Sequence, residues 1–292
     1  MDKLVRCISV DGTLVMMAAE TTDMVEKAQQ IHKTSAVTSA ALGRLLTASS
    51  LMGSMLKGDN DSVTLRINGG GPAGTVMAVS DSNGNARGYV TNPVVEIPLN
   101  SKGKLDVAGA IGTDGFLTVI KDLNLKEPYV GQTPIFTGEI AEDITSYYAT
   151  SEQLPSVCAL GVLVNPDLSI KKAGGFIIQL LPTAFDDTID AVERCITGIP
   201  SVTQMLSEGM TPEDICHRVL SEFELEVLDD AYPTYKCNCS KERVEGALIS
   251  TGIKTLKELE LEEKTEVSCQ FCDKKYSFSG SDITELIKKA EK

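Results

Sequence analysis

Four cysteines near the end of the chain arrive as two close pairs, Cys237-Asn238-Cys239 and Cys269-Gln270-Phe271-Cys272, with 29 residues between the pairs. Each pair can offer two sulfurs to one small ion, and the intervening stretch is long enough to fold back and deliver the second pair. Residue type and spacing therefore predict one Zn2+ per chain, held tetrahedrally by Cys237, Cys239, Cys269 and Cys272. Four thiolates on a divalent ion leave the site at about −2. Zinc is redox-inert, so an oxidant attacks sulfur, and each oxidised sulfur is a ligand lost. Cys269 and Cys272 are spaced to close a disulfide across a turn, whereas Cys237 and Cys239 lie near the limit of bridge geometry. The Cys269–Cys272 bridge is expected to form first. Spacing alone leaves open whether the ion is a structural staple or part of a switch.

The chain has eight cysteines, two histidines and no tryptophan among 292 residues. Cys7, Cys158 and Cys195 sit in apolar or amphipathic stretches and read as buried small hydrophobes. Cys216 adjoins His217, but sequence neighbours on a helix point to different faces, so this is not an activated nucleophile. No convergent base, nucleophile and metal constellation appears elsewhere, and the chain does not read as an enzyme.

A net charge of −14 argues against a general affinity for nucleic acid or anionic membrane. Arg6 and the Asp11-Gly12 turn interrupt any signal-peptide core, and no run has the 18 or so apolar residues that a span requires. The expected setting is the cytoplasm, where thiols stay reduced and cysteine clusters serve metals or redox chemistry.

The elements that must position the cysteines begin with a hairpin over residues 4–20 around Asp11-Gly12. A helical pattern, capped at Asp23, runs with breaks to about Lys57. Small residues at four-residue spacing (Ala36 with Ala40, Ser50 with Ser54) suit close packing. Strands are expected at Ser62–Asn68, Gly74–Ser80, Ala86–Thr91, Phe116–Leu123, Pro134–Glu139, Val157–Val164 and Ala173–Leu181, with a helix over Ala141–Thr150. The glycine run at 69–74 lacks the Lys-Ser/Thr of a P-loop and reads as a turn. Strands in meanders with helices grouped apart predict an α+β fold. The expected organisation is an N-terminal mixed sheet-and-helix core domain over 1–182, a helical linker over 183–232 and a small zinc domain over 233–292.

In the linker, Ile189, Val192 and Ile196 share one face, and Thr211-Pro212-Glu213-Asp214 starts a helix carrying Ile215, Val219 and Phe223. Such short helices must bury their stripe on a neighbour. The acidic run through Asp229 and Asp230 reads as a solvated boundary. In the last sixty residues Ser240 caps a helix, residues 255–264 form a charged helix, strands flank the second cysteine pair, and a terminal helix starts at Ser281 or Asp282. This module is small enough that its fold should depend on metal.

Across its whole length the sequence resembles the bacterial redox-regulated heat-shock chaperone family of about thirty-three kilodaltons. Its Gly88-Tyr89-Val90, Asn92-Pro93, Tyr148, Ser151-Glu152-Gln153-Leu154-Pro155 and Gly174-Gly175-Phe176 carry the likeness, and above all Cys237-Asn238-Cys239-Ser240 with Cys269-Gln270-Phe271-Cys272. The resemblance implies an ATP-independent holdase of the stress response, inactive when reduced and zinc-bound. It implies oxidation to Cys237–Cys239 and Cys269–Cys272 disulfides, zinc loss, linker unfolding and binding of unfolding client proteins, with a homodimer at least when activated. Ile189, Val192, Ile215, Val219 and Phe223 are then candidate client-binding residues. The rival is a constitutive interaction or nucleic-acid-binding protein with a purely structural zinc site. For nucleic acid it would use Lys241, Arg243, Lys274 and Lys275, but Glu242, Glu245 and the acids of 258–266 offset them.

Overall fold

The computed structural model describes residues 1–290; the chain divides into two compact units, the second beginning at Cys237. The fold is α+β.

The first unit is built on two five-stranded antiparallel sheets. One has the order β10-β1-β2-β9-β8, from β1 (Lys3–Ser9), β2 (Leu14–Glu20), β8 (Ser156–Val164), β9 (Ile170–Leu180) and β10 (Leu225–Ala231). The other has the order β5-β4-β3-β6-β7, from β3 (Ser62–Asn68), β4 (Val76–Asp81), β5 (Ala86–Val90), β6 (Phe116–Asp122) and β7 (Tyr129–Pro134). Helix α1 (Thr22–His32) ends at left-handed Lys33, and α2 (Ala36–Gly53) follows. Every residue of α2 except Ala36 and Arg44 is buried, because the helix packs on strands of both sheets. The small residues noted in the sequence permit that approach; the Ser50 hydroxyl, for example, donates to the Gly84 carbonyl at 2.7 Å.

Strand alternation divides the first sheet between two cores. Met17, Ala19 and Ile177 face the core that contains α2. Met16, Ala18, Phe176 and Ile178 face the opposite way, onto a second apolar cluster. That second cluster is completed by α5 (Asp186–Ile196), α6 (Val202–Ser207) and α7 (Pro212–Val219). Helix α7 starts as its sequence dictates: Asp214 N donates to the Thr211 hydroxyl at 3.2 Å, and the Asp214 carboxylate accepts from Thr211 N at 2.9 Å. Gly174 lets α6 approach β9, since a Cβ there would lie 2.7 Å from a Leu206 methyl. The remaining helices of this unit are α3 (Val107–Ile111) and α4 (Ala141–Tyr147), the latter continued by a π-turn over Tyr148–Glu152.

Two expectations are corrected. The acidic run after α7 is strand β10, paired antiparallel with β1. It is an edge strand whose acids are answered by bases of β1: Arg6 pairs with Asp229, and Lys3 lies 3.6 Å from Asp230. The strand expected at Pro134–Glu139 ends at Pro134 and begins at Tyr129. The glycine run is a turn whose amides are already used: Gly69 N and Gly71 N donate to the Ile111 carbonyl at 3.1 and 2.9 Å. A Cβ on Gly69 would sit 2.0 Å from the Gly112 carbonyl oxygen.

The second unit comprises α8 (Lys241–Ser250), α9 (Ile253–Glu260), the hairpin of β11 (Lys264–Ser268) and β12 (Lys275–Ser279), and α10 (Gly280–Ala290). Its core is small: Leu248, Leu256, Tyr276, Phe278, Ile283, Leu286 and Ile287.

Candidate metal centre

The first cysteine pair lies on the extended segment that enters α8, whose start is fixed by Ser240 accepting from Arg243 N at 3.3 Å. The second pair lies in the loop of the β11–β12 hairpin. Cys269 N donates to the Lys274 carbonyl at 2.9 Å, and Asp273 N donates to the Cys269 carbonyl at 2.8 Å. Asp273 takes the left-handed conformation, φ 60°, that turns the chain back toward β12. Hairpin pairing thereby sets the second pair against the first.

The four sulfurs all lie within 4.8 Å of one another, and each cysteine is half-buried. The Cys237–Cys269 sulfurs are 3.7 Å apart and the Cys239–Cys272 sulfurs 3.4 Å. Metal–sulfur bonds of about 2.3 Å in a tetrahedron give edges of about 3.8 Å, so the donor set and its spacing fit one tetrahedral ion. The cysteines are all free thiols. Both of these short approaches join one pair to the other, so an ion here would tie the start of α8 to the hairpin.

Hydrogen bonding distinguishes the sulfurs. The Tyr276 hydroxyl donates to Cys239 Sγ at 3.1 Å. Burial opposes ionisation of Cys239, but the bonds from Tyr276 and the other three thiols outweigh it and bring the thiol down to about 7. Cys272 is pushed up to about 12, by burial first and then by hydrogen bonding to the other three thiols, against a lowering bond from the Lys274 backbone. Cys237 is also raised, chiefly by burial. Among Cys237, Cys239 and Cys272, ionisation is therefore most favoured at Cys239. A bound cation would hold all four as thiolates.

The remaining cysteines stay apart from this centre. Cys7 of β1 and Cys216 of α7 are fully buried between sheet and helix, and their mutual hydrogen bond, with burial, lifts Cys216 far above the ordinary thiol range. Burial raises Cys158 as well. A deprotonated nucleophile is disfavoured at both positions.

Of the five candidate client-binding residues, four pack inward. Ile215 and Val219 are fully buried, Val192 nearly so, and Phe223 is half-buried, all against the outer face of the first sheet. Ile189 is 38% exposed, beside a groove of about 220 Å³ that α5 leaves open over Ile178 and Leu180. Among the described residues no helix is long and apolar enough to cross a membrane.

Residues 2–279 match the family model described as Hsp33 protein. The chain belongs to the Hsp33 family. It is 50% identical over 292 residues to the 33 kDa chaperonin of Clostridium acetobutylicum, covering 99% of this chain and 98% of that one. It is 52% identical to the 33 kDa chaperonin of Clostridium perfringens, covering 100% and 92%. Among solved structures, the 33 kDa chaperonin homologue of Thermotoga maritima superposes with a TM-score of 0.89 at 38% identity, covering 99% of each chain. Hsp33 proteins are chaperones and not enzymes.

Proposed function

We propose that this protein is a redox-regulated, ATP-independent holdase, silent while Cys237, Cys239, Cys269 and Cys272 hold one Zn2+ as thiolates and active once they are oxidised. The observation that carries the reading is the convergence of these four sulfurs at tetrahedral spacing in a chain of a chaperone family. Zinc would supply only charge and geometry, holding thiolates together in a unit with a thin apolar core.

Oxidation by a peroxide makes each disulfide from two thiolates, which give up two electrons to one peroxide; with two protons from solvent the peroxide leaves as two waters. The expected products are Cys237–Cys239 and Cys269–Cys272, the latter first. The cross-pair sulfur contacts make Cys237–Cys269 with Cys239–Cys272 the alternative for peptide mass mapping to exclude. Disulfide sulfurs no longer coordinate, so residues 237–292 lose their staple. On this reading that loss releases α5, α6 and α7 and uncovers Ile189, Val192, Ile215, Val219 and Phe223 for unfolding clients. A homodimer in the activated state and a cytoplasmic setting belong to the same proposal.

The nucleic-acid alternative is disfavoured by the cations near the cysteines: Lys275 pairs with Glu266 at 3.0 Å, and Lys241 sits 5.4 Å from the Phe278 ring centroid and 4.0 Å from Asp282. The test is light scattering from a thermally unfolding client. Reduced protein should leave aggregation unchanged, peroxide-treated protein should suppress it, and a dithiol with zinc should restore the silent state. Equal suppression by both forms would leave a constitutive binder with a structural metal.

A further inference from the structure

Tyr276 lies on β12, opposite Val267 of β11 in the hairpin register, and its side chain is 7% exposed. Alternation puts it on the same face as Phe278, inside the small core of the second unit. From there its hydroxyl reaches the first cysteine pair and donates to Cys239 Sγ at 3.1 Å. The strand that leaves the second cysteine pair thus supplies a donor to a sulfur of the first. Above the ring, the Lys274 ammonium lies 5.2 Å from the centroid. A cation over the π face draws electron density from the ring and makes the phenol a stronger donor.

We infer that Tyr276 is a positioning residue of the switch, whose hydroxyl aims the Cys239 thiolate at the shared centre and withdraws charge from that sulfur, so that Cys239 resists oxidation. Oxidation of Cys239 begins when its thiolate attacks a peroxide oxygen. An S–O bond forms, the O–O bond breaks, and hydroxide leaves to take up a proton as water. A second cysteine thiol then displaces the sulfenic oxygen as another water, forming the S–S bond. The electron pair that makes the first bond is the one Tyr276 engages. The hydroxyl must be given up or shared before Cys239 can react. Outer-shell donors of this kind also hold the ligand on the metal, and their removal typically weakens metal binding about 10–100-fold.

The inference rests on the proposed zinc switch, and its test separates the two. The full-length, reduced, zinc-loaded chain is compared with Tyr276→Phe, which keeps the ring in the core. Circular dichroism checks that the variant is folded. Timed peroxide exposure followed by differential alkylation and mass spectrometry then gives a rate for each cysteine. Tyr276→Phe should raise the Cys239 rate at least about threefold, leave Cys269 nearly unchanged, and lose zinc to a chromophoric chelator about tenfold more readily. With cobalt in place of zinc, the sulfur-to-metal charge-transfer band should move to longer wavelength as the sulfur becomes more electron-rich. Lys274→Ala, a change at an exposed side chain, should shift the same readouts in the same direction by less, and it carries the test if the Phe variant does not fold. Unchanged Cys239 rates and an unchanged cobalt band in the folded variant would overturn the role of Tyr276. Failure of the wild-type protein to release metal on oxidation would instead overturn the switch itself.

Discussion

The two units differ in what holds them together. In Met1–Lys236 a helix buried along almost its whole length packs on two five-stranded sheets, and one of these sheets is apolar on both faces. In Cys237–Lys292 a handful of buried apolar side chains supports three helices and a two-stranded hairpin. A domain that size has little area to bury and needs a staple. The four-sulfur cluster is placed to supply one by holding a metal ion. The second unit, with few apolar side chains to bury, is therefore the one whose stability a group of oxidisable sulfurs can govern.

The largest expected effect breaks the comparison at the metal. Removing zinc with a strong chelator under reducing conditions, or replacing Cys269 with Ser, should take away binding free energy on the order of 10 kcal/mol from the second unit. Hydrogen exchange should then show residues 237–290 unprotected while α2 and both sheets keep their protection. Equal loss in both units would mean that the first also relies on the site.

A smaller effect sharpens the account of the first unit. Met205 of α6 is fully buried against the outer face of the first sheet. Met205→Ala should cost about 2–5 kcal/mol in denaturant melts of the first unit and leave zinc content unchanged. On the proposed function it should also lower the peroxide exposure needed for client binding.

The smallest concerns pH. Asp2 is pushed up to about 6, by burial first, while its carboxylate accepts from Asp23 N and Met24 N at 2.8 Å each. Its folded value lies above the unfolded one, so its stabilising contribution is complete below about pH 4 and is lost as pH rises through 6. The stability difference between the wild type and Asp2→Asn should therefore shift by on the order of 2 kcal/mol in favour of the variant between pH 4 and pH 7. A pH-independent difference would contradict the burial argument.

Much of this was legible in the sequence, for physical reasons that also explain the gaps. Asp11-Gly12 and the Asp81–Gly84 turn join apolar runs into hairpins, so β1, β2, β4 and β5 stand close to where the turn signals put them. Strand β10 was hidden because Glu226, Asp229 and Asp230 break the apolar pattern on a solvent-facing edge, and its partner β1 lies more than two hundred residues away. The paired charges Lys3 and Arg6 were the available signal. In β7, Gly131 and Gln132 weaken the strand pattern, while Ile135 and Phe136 just beyond it attract the reading; Phe136 is in fact 71% exposed. The four-cysteine cluster was legible because two close pairs of one residue type mark it in the sequence, and the fold brings their sulfurs within 4.8 Å of one another. Tyr276 was not, since it reads as an ordinary strand aromatic until hairpin register places its hydroxyl on Cys239.

The measurement that bears most directly on the central claim follows zinc release, thiol oxidation and client light scattering in one peroxide time course. The account predicts that zinc appears in solution as the cysteines of 237–272 oxidise, and that scattering falls only after it. Complete zinc release with undiminished client aggregation would contradict it.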